Sequence, residues 1–270
     1  MLTANEFIHI MPLPITRQHI QQWFSQGSFY TPGKCKERME AIWAVDIHNH
    51  LLPGVDDGIT TLDETVRCLK QYNDWGVRQV ICTPHISQDY YPNTAEQLHV
   101  HLALVQQASL DAGLSITVRL AAEYLLDEEF DRLLKANQLL SFGSARYVLI
   151  ETGWAAPPHQ LDDWLFIMQR KGYTPVLAHP ERYLYYQAEP YLLKQLRAQG
   201  CLLQLNLLSL AGQYGPKAKR LAFDLLREKC ISFVGSDLHG HADLATLQTV
   251  FNSTTVKHLE VQPFLMHQLL

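Results

Sequence analysis

AVDIHNHLLPGVDDG, residues 44–58, begins as a short alternating run and then breaks into a loop of glycine, proline and aspartate. Alternation over 44–48 is a strand signal, and a Gly/Pro/Asp cluster directly after it ends the strand. The same rhythm returns along the chain in QVICT (79–83), ITVRLAA (116–122), YVLIE (147–151), PVLAH (175–179), LLQLN (202–206) and ISFVG (231–235). Helical patterns lie between these runs. Thr61-x-x-Glu64 and Thr94-x-x-Gln97 read as capping boxes, and Gly76, Gly113, Gly172 and Gly200 stand where helices should stop. Each strand then needs a helical crossover before the next, which predicts a parallel α/β sheet. The runs recur roughly every 30 residues, close to the pitch of an eight-unit βα barrel, but there are seven of them. No G-x-G-x-x-G follows a strand, so a dinucleotide fold finds no support.

Upstream of residue 44 the chain reads differently. Pro12, Pro14, a Pro32-Gly33 turn and one short helix near 16–25 predict an N-terminal extension over 1–43, ahead of a domain at 44–270. The 270 residues, 47% apolar and 18% charged, suffice for one sizeable core. No apolar run approaches the ~18 residues of a membrane span, so no membrane insertion is expected. Lys+Arg number 22 against 27 Asp+Glu, and this net charge of -5 disfavours nucleic acid as a partner. Five cysteines without a CxxC pair read as buried free thiols. With no signal-peptide pattern at the start, they point to the reducing cytoplasm.

Histidine is over-used, at 13 residues, and position sorts these imidazoles. At or near the predicted strand ends stand Asp46, His48 and His50; His85; Glu123; Glu151; His179; Asn206; and Asp237 with His239. Ligands and catalytic groups of βα barrels occupy that face. Any one of these residues is explained by capping or packing; the set is not. His48 and His50 are two apart on an extended run, so both rings point to one side and can reach one metal. His99-Val100-His101 has the same spacing inside a helical pattern, where it means roughly opposite faces. That second pair reads as surface histidine. Asp56-Asp57-Gly58 is a turn by composition, with a carboxylate available a few residues past His50. Imidazole and carboxylate without thiolate suit Mn, Fe or Zn.

Together DIHNHLLPGVDDG (46–58), CTPH (82–85), AAEYLLD (121–127), YVLIE (147–151), PVLAHPERY (175–183) and GSDLH (235–239) resemble the polymerase-and-histidinol-phosphatase (PHP) superfamily. Within it, they are similar to the bacterial metal-dependent protein-tyrosine phosphatases of the CpsB/CapC type, found in capsule and exopolysaccharide clusters. The resemblance runs from about residue 44 nearly to the C-terminus. It implies a distorted seven-stranded TIM-like (βα)7 barrel of PHP type holding two or three divalent ions, manganese first, with iron or zinc as alternatives. The implied ligands are His48, His50, Asp57, His85, Glu123, Glu151, His179, Asp237 and His239, with Glu151 alternatively standing behind the others. Asp57, not Asp56, matches the family ligand. Arg182 matches the phosphate-contacting arginine, and Tyr183 beside it is a candidate substrate contact. Arg182, Asp57 and His239 are the candidate catalytic groups.

The family's second basic residue after SDxH has no match, since GHADLATLQ contains no Arg or Lys. The implied reaction is hydrolysis of phosphotyrosine by hydroxide held on the metal ions. The implied substrate is the tyrosine-rich tail of a bacterial tyrosine autokinase of polysaccharide export. Alternatives are a small-molecule phosphomonoesterase such as histidinol-phosphate phosphatase, a PHP nuclease, or a metal-binding protein with weak chemistry. Tyr90, Tyr91, Trp154, Tyr183, Tyr185 and Tyr186 either line a phosphotyrosine cleft or pack the barrel rim, and the sequence leaves both open.

Overall fold

The computed structural model describes residues 32–270, and Cys35–Leu270 form one compact unit. The helix expected near 16–25 lies outside the described residues. Pro32-Gly33, expected as a turn, instead opens a helix, Pro32–Trp43. Proline suits a first helical turn, where its missing N–H goes unused. Met39, Ile42 and Trp43 of this helix belong to the hydrophobic core, where Trp43 stacks on Phe251 (5.7 Å between centroids) and meets Tyr72 edge-on.

Nine strands are present among the described residues, all paired in parallel. They are β1 (Val45–Asp46), β2 (Gln79–Cys82), β3 (His85–Ile86), β4 (Thr117–Leu120), β5 (Glu123–Leu125), β6 (Tyr147–Glu151), β7 (Thr174–Ala178), β8 (Leu202–Asn206) and β9 (Phe233–Gly235). One sheet has the order β1-β2-β4 and the other β3-β5-β6-β7-β8-β9. The count exceeds the seven expected runs because two short strands, β3 and β5, lie just beyond the runs expected at 79–83 and 116–122. Pro84 has no N–H to donate and separates β2 from β3. The partner run breaks at the same level, between Leu120 and Glu123. Glu123 N still bonds to Pro84 O (3.1 Å) and Ala121 N to Cys82 O (2.8 Å), so the ladder is thinned, not lost.

The first run is shorter than expected. Past Asp46 its backbone turns to a new neighbour: Asn49 bridges Leu238 in parallel, His50 N donates to Leu238 O (2.9 Å) and Asp237 N donates to His48 O (2.7 Å). The parallel sheet thus curls into a half-barrel, and beyond β1 and β9 its first and last strands meet. β6, β7 and β8 start and end within one residue of expectation.

Strand interiors such as QVIC and YVLI are buried throughout, as befits a parallel sheet covered by helices. Thr94 and Gln97 form the expected reciprocal capping box. Thr61 caps its helix too, but Glu64 turns away to accept from His241 N (3.1 Å). Gly76, Gly113, Gly172 and Gly200 all have positive φ. Opposite the strand ends, the C-terminal turn Met266–Leu269 sits under β1, with Gln79 donating to Leu269 O (3.3 Å). Cys68, Cys82, Cys201 and Cys230 are buried free thiols. No helix of the described residues is long and apolar enough to cross a membrane.

Candidate metal centre

Eight of the nine ligands expected from the sequence come together in three overlapping groups of donor atoms, and the ninth, His179, meets them through Glu123. His48, His50, Glu123 and Asp237 form the buried group. His50, Asp57, His85 and His239 form an open one, and His85, Glu123 and Glu151 a third. Within each group the donor atoms lie within 4.8 Å of one another. Glu123 is the hub: its carboxylate is 3.1 Å from His48 Nε2, 3.5 Å from His50 Nε2, 3.3 Å from His85 Nδ1 and 3.0 Å from His179 Nε2. Asp237 Oδ1 stands 3.3 Å from both His48 Nε2 and His50 Nε2. On the open side, Asp57 Oδ1 is 3.5 Å from His85 and 3.6 Å from His239.

Three of the rings are oriented in one way. His48 Nδ1 meets Gln204 Oε1 (2.8 Å), His50 Nδ1 meets Asp56 Oδ2 (2.8 Å) and His239 Nδ1 meets the Asp237 carbonyl (2.9 Å). A neutral imidazole bonded to an acceptor carries its proton on that nitrogen. Each ring therefore turns a lone pair on Nε2 into the site, as ligating histidines do.

Electrostatically the cluster is a lattice of alternating charge. Burial alone would lower the His48 pKa; Glu123 and Asp237 outweigh it and push the ring up to about 9. His50 is likewise raised against its burial, by Asp237, Asp56 and Glu123. Burial also works against ionised Glu123, yet His48, His85 and His179 hold it well below the usual carboxylate range. Asp237 is held low, against burial, by His48, His50 and Arg182. His179 goes the other way, lowered by burial and by the charge of Arg182.

These residues fit divalent cations. The donors are nitrogen and oxygen only, a set that suits Mn, Fe or Zn. His50 Nε2 and His179 Nδ1 are buried without a hydrogen-bond partner, which leaves each nitrogen available to an ion. The imidazoles also stand close together, with centroids 4.0 Å apart for His50–His239 and 4.6 Å for His50–His85.

Beside the cluster, Arg182 Nη1 bonds Asp237 Oδ2 at 2.5 Å. It follows His179, whose φ of 34° turns the chain out of β7 into the short turn Pro180–Arg182. Tyr183 differs from expectation. It is fully buried behind His179 and Trp154, its hydroxyl accepting from Thr152 N at 3.2 Å, so it braces the site and does not face a substrate. The other aromatic candidates divide: Tyr90 and Trp154 are exposed, Tyr91 lies flat on His85 (5.3 Å, 13°), and Tyr186 is core. His99 and His101 lie on the helix Ala95–Asp111, away from the cluster, and the exposed His241 meets Glu64 through its backbone.

Four positioning residues were not assigned from sequence. Asp56, read as a turn residue, binds His50 and also accepts from His85 N (3.1 Å). Gln204 holds His48 and accepts from His179 N (3.2 Å); a lone Gln amid the apolar run LLQLN was the available signal. Asn206, noted only as a strand-end residue, donates to Asp237 Oδ2 at 2.7 Å. Tyr214 lays its ring against Arg182, 4.1 Å from the guanidinium carbon.

Residues 44–257 match the family described as capsular polysaccharide synthesis, CpsB/CapC. The chain is 31% identical to the tyrosine-protein phosphatase YwqE of Bacillus subtilis over 195 residues, covering 72% of this chain and 77% of that one. It is 28% identical to CapC of Staphylococcus aureus over 214 residues, 79% and 84% of the two chains. Among solved structures it is similar to a chain from the crystal structures of YwqE from Bacillus subtilis and CpsB from Streptococcus pneumoniae, described as metal-dependent tyrosine phosphatases. That match has a TM-score of 0.70 and 28% identity, and covers 82% of this chain and 96% of that one. With the family matched over most of its length, this chain belongs to the CpsB/CapC family of capsular polysaccharide synthesis.

Proposed function

We infer that this chain is a metal-dependent tyrosine-protein phosphatase. The observation that carries the reading is a cluster of nitrogen and oxygen donors in overlapping groups, open on one side, with an arginine at its edge. Bound divalent ions would supply Lewis acidity and water acidic enough to be ionised near neutral pH. His50, His85 and Glu123 each belong to two of the three donor groups, which favours two or three ions in contact through shared ligands. Manganese is the first candidate metal, then iron or zinc. His48, His50, Asp57, His85, Glu123, Glu151, His179, Asp237 and His239 are the proposed ligands.

Arg182 binds the phosphoryl group. One of its nitrogens is tied to Asp237, and the planar fork leaves other N–H donors for phosphate oxygens, a geometry lysine lacks. Asp237 thereby sets the distance between the phosphoryl group and the ligands. Asp57 and His239 stand at the more exposed margin, where a leaving group departs. A phenolate, with pKa near ~10, leaves more readily than an alkoxide, so departure through this margin suits phosphotyrosine. The proposed substrate is the tyrosine-rich tail of a bacterial tyrosine autokinase. The proposed setting is the cytoplasm, and the proposed frame is a distorted seven-stranded (βα)7 barrel.

Metal analysis of the purified protein, joined to a phosphotyrosine-peptide assay with added Mn, Fe and Zn, tests this. Turnover should follow metal occupancy and exceed that on histidinol phosphate. Turnover that survives stringent metal removal would overturn the metal mechanism, and a preference for histidinol phosphate would overturn the substrate.

A further inference from the structure

Arg182 lies between two aromatic rings. Its guanidinium carbon is 4.1 Å from the ring centre of Tyr214 and 4.9 Å from that of Trp154. Tyr214 is half-buried and holds Asn206 through its hydroxyl. Trp154 is 49% exposed. Half of this ring is therefore open to another molecule, directly beside the guanidinium.

Trp154 is nonetheless held in place. Its ring lies parallel to the His179 imidazole (13°, centroids 6.0 Å apart) and leans on the buried Tyr183 (5.2 Å). The loop that carries it is fastened just upstream. Thr152 N donates to the Tyr183 hydroxyl, and the Thr152 hydroxyl pairs with that of Tyr185. An exposed ring that is already ordered contributes contact area at little entropic cost.

The geometry points to Trp154 as the residue that receives the phenyl ring of the substrate, and so makes this site select aryl over alkyl phosphate esters. This rests on the phosphatase reading above. In phosphotyrosine a single bridging oxygen separates phosphorus from the ring. A phosphoryl group bound at Arg182 therefore delivers its ring to the neighbourhood of Arg182, where Trp154 is the exposed aromatic surface. An alkyl ester brings a methylene to the same place and has no π-face to stack. Offset or edge-on stacking rewards the first substrate and not the second.

Non-hydrolysable probes separate this idea from catalysis. The full chain loaded with Mn2+ is titrated calorimetrically with phenylphosphonate, ethylphosphonate and inorganic phosphate, as wild type, Trp154→Ala and Trp154→Phe. Wild type should prefer phenylphosphonate over ethylphosphonate by about tenfold. Trp154→Ala should lose that preference, Trp154→Phe should keep most of it, and all three should bind inorganic phosphate alike. A preference that persists in Trp154→Ala, or is missing from wild type, overturns the assignment. So does a parallel fall in phosphate affinity, which would make Trp154 only a prop for Arg182. Failure of the phosphatase reading shows separately, as no turnover of a phosphotyrosine peptide by wild type whatever the phosphonate preference.

Discussion

His48 engages both ring nitrogens, Nδ1 with Gln204 and Nε2 with Glu123 and Asp237. The first contact governs the second. Gln204→Leu frees the ring to rotate, and losing such an orienting partner typically costs about 10–100-fold in metal affinity; Mn2+ titration of the variant checks this. Protons compete for the same nitrogen. His48 without metal titrates at about 9 and must be neutral to ligate, so it carries a proton to be displaced at any pH below that. Metal affinity should therefore rise as pH rises from 6 to 9, and proton release should appear in calorimetry repeated in buffers of different ionisation enthalpy. Affinity independent of pH over that range would contradict the assignment.

Glu181 gives a second pH effect of opposite sense. Burial, only partly offset by hydrogen bonds from Ser209 and Asn206, pushes it up to about 7 from 4.5. A raised folded-state pKa means the native state binds the proton more tightly. The resulting stability is full below 4.5 and lost as pH rises through about 7. Urea midpoints compared for wild type and Glu181→Gln should diverge between pH 5 and pH 8, the wild type losing up to about 3 kcal/mol relative to the variant. Residues of this kind mark the limit of sequence reading. His48, His50 and Asp237 were readable because each lies within a few residues of a strand end, and position along the chain is a local property. Gln204, Asp56 and Glu181 act through what stands behind a ring or beneath a turn, which only the tertiary arrangement decides.

At the level of elements, strand ends in contact leave no room for side chains between them. A Cβ on Gly235 of β9 would meet His48 Cβ at 2.5 Å, and one on Gly58 would meet His50 Cβ and its carbonyl oxygen, both at 2.4 Å. The neighbours are His48 and His50, both proposed ligands, so the clash must move the site. Gly235→Ala should destabilise the fold by about 1–3 kcal/mol and lower metal content, measured by thermal unfolding and elemental analysis. Melting and occupancy equal to wild type would show that the strand ends can part. The same crowding explains which boundaries the sequence predicted well. β6 and β8 are continuous apolar runs that pair along their whole length, and they fall where expected. The runs at 44–48 and 116–122 are interrupted because their backbones change partner on approaching the cluster: Asn49 pairs with Leu238, and Glu123 sits beyond a break opposite Pro84. Alternation and β-propensity describe a strand; they carry no information on where it hands over to another neighbour.

For the whole molecule, the seam between the first and last strands is the critical joint. Asp46 is buried there and accepts from Ser236 N (3.0 Å), the Ser236 hydroxyl (2.7 Å) and the Tyr72 hydroxyl (3.0 Å). Below it the segment 263–270 buries Phe264 and Met266, at roughly 1.5–3 kcal/mol per side chain. Deleting 263–270 should lower the melting temperature by several degrees while leaving every proposed ligand in the chain. A variant that melts like wild type would show that the turn contributes nothing. The seam also has a consequence in time. Two of the three donor groups take a member from 237–239 and join it to histidines near residue 50. During synthesis those partners are separated by the whole run of strands from β1 to β9, and the late one emerges long after the histidines. Neither group offers its full donor set until its last donor has emerged, so metal capture there would wait on the segment after β9.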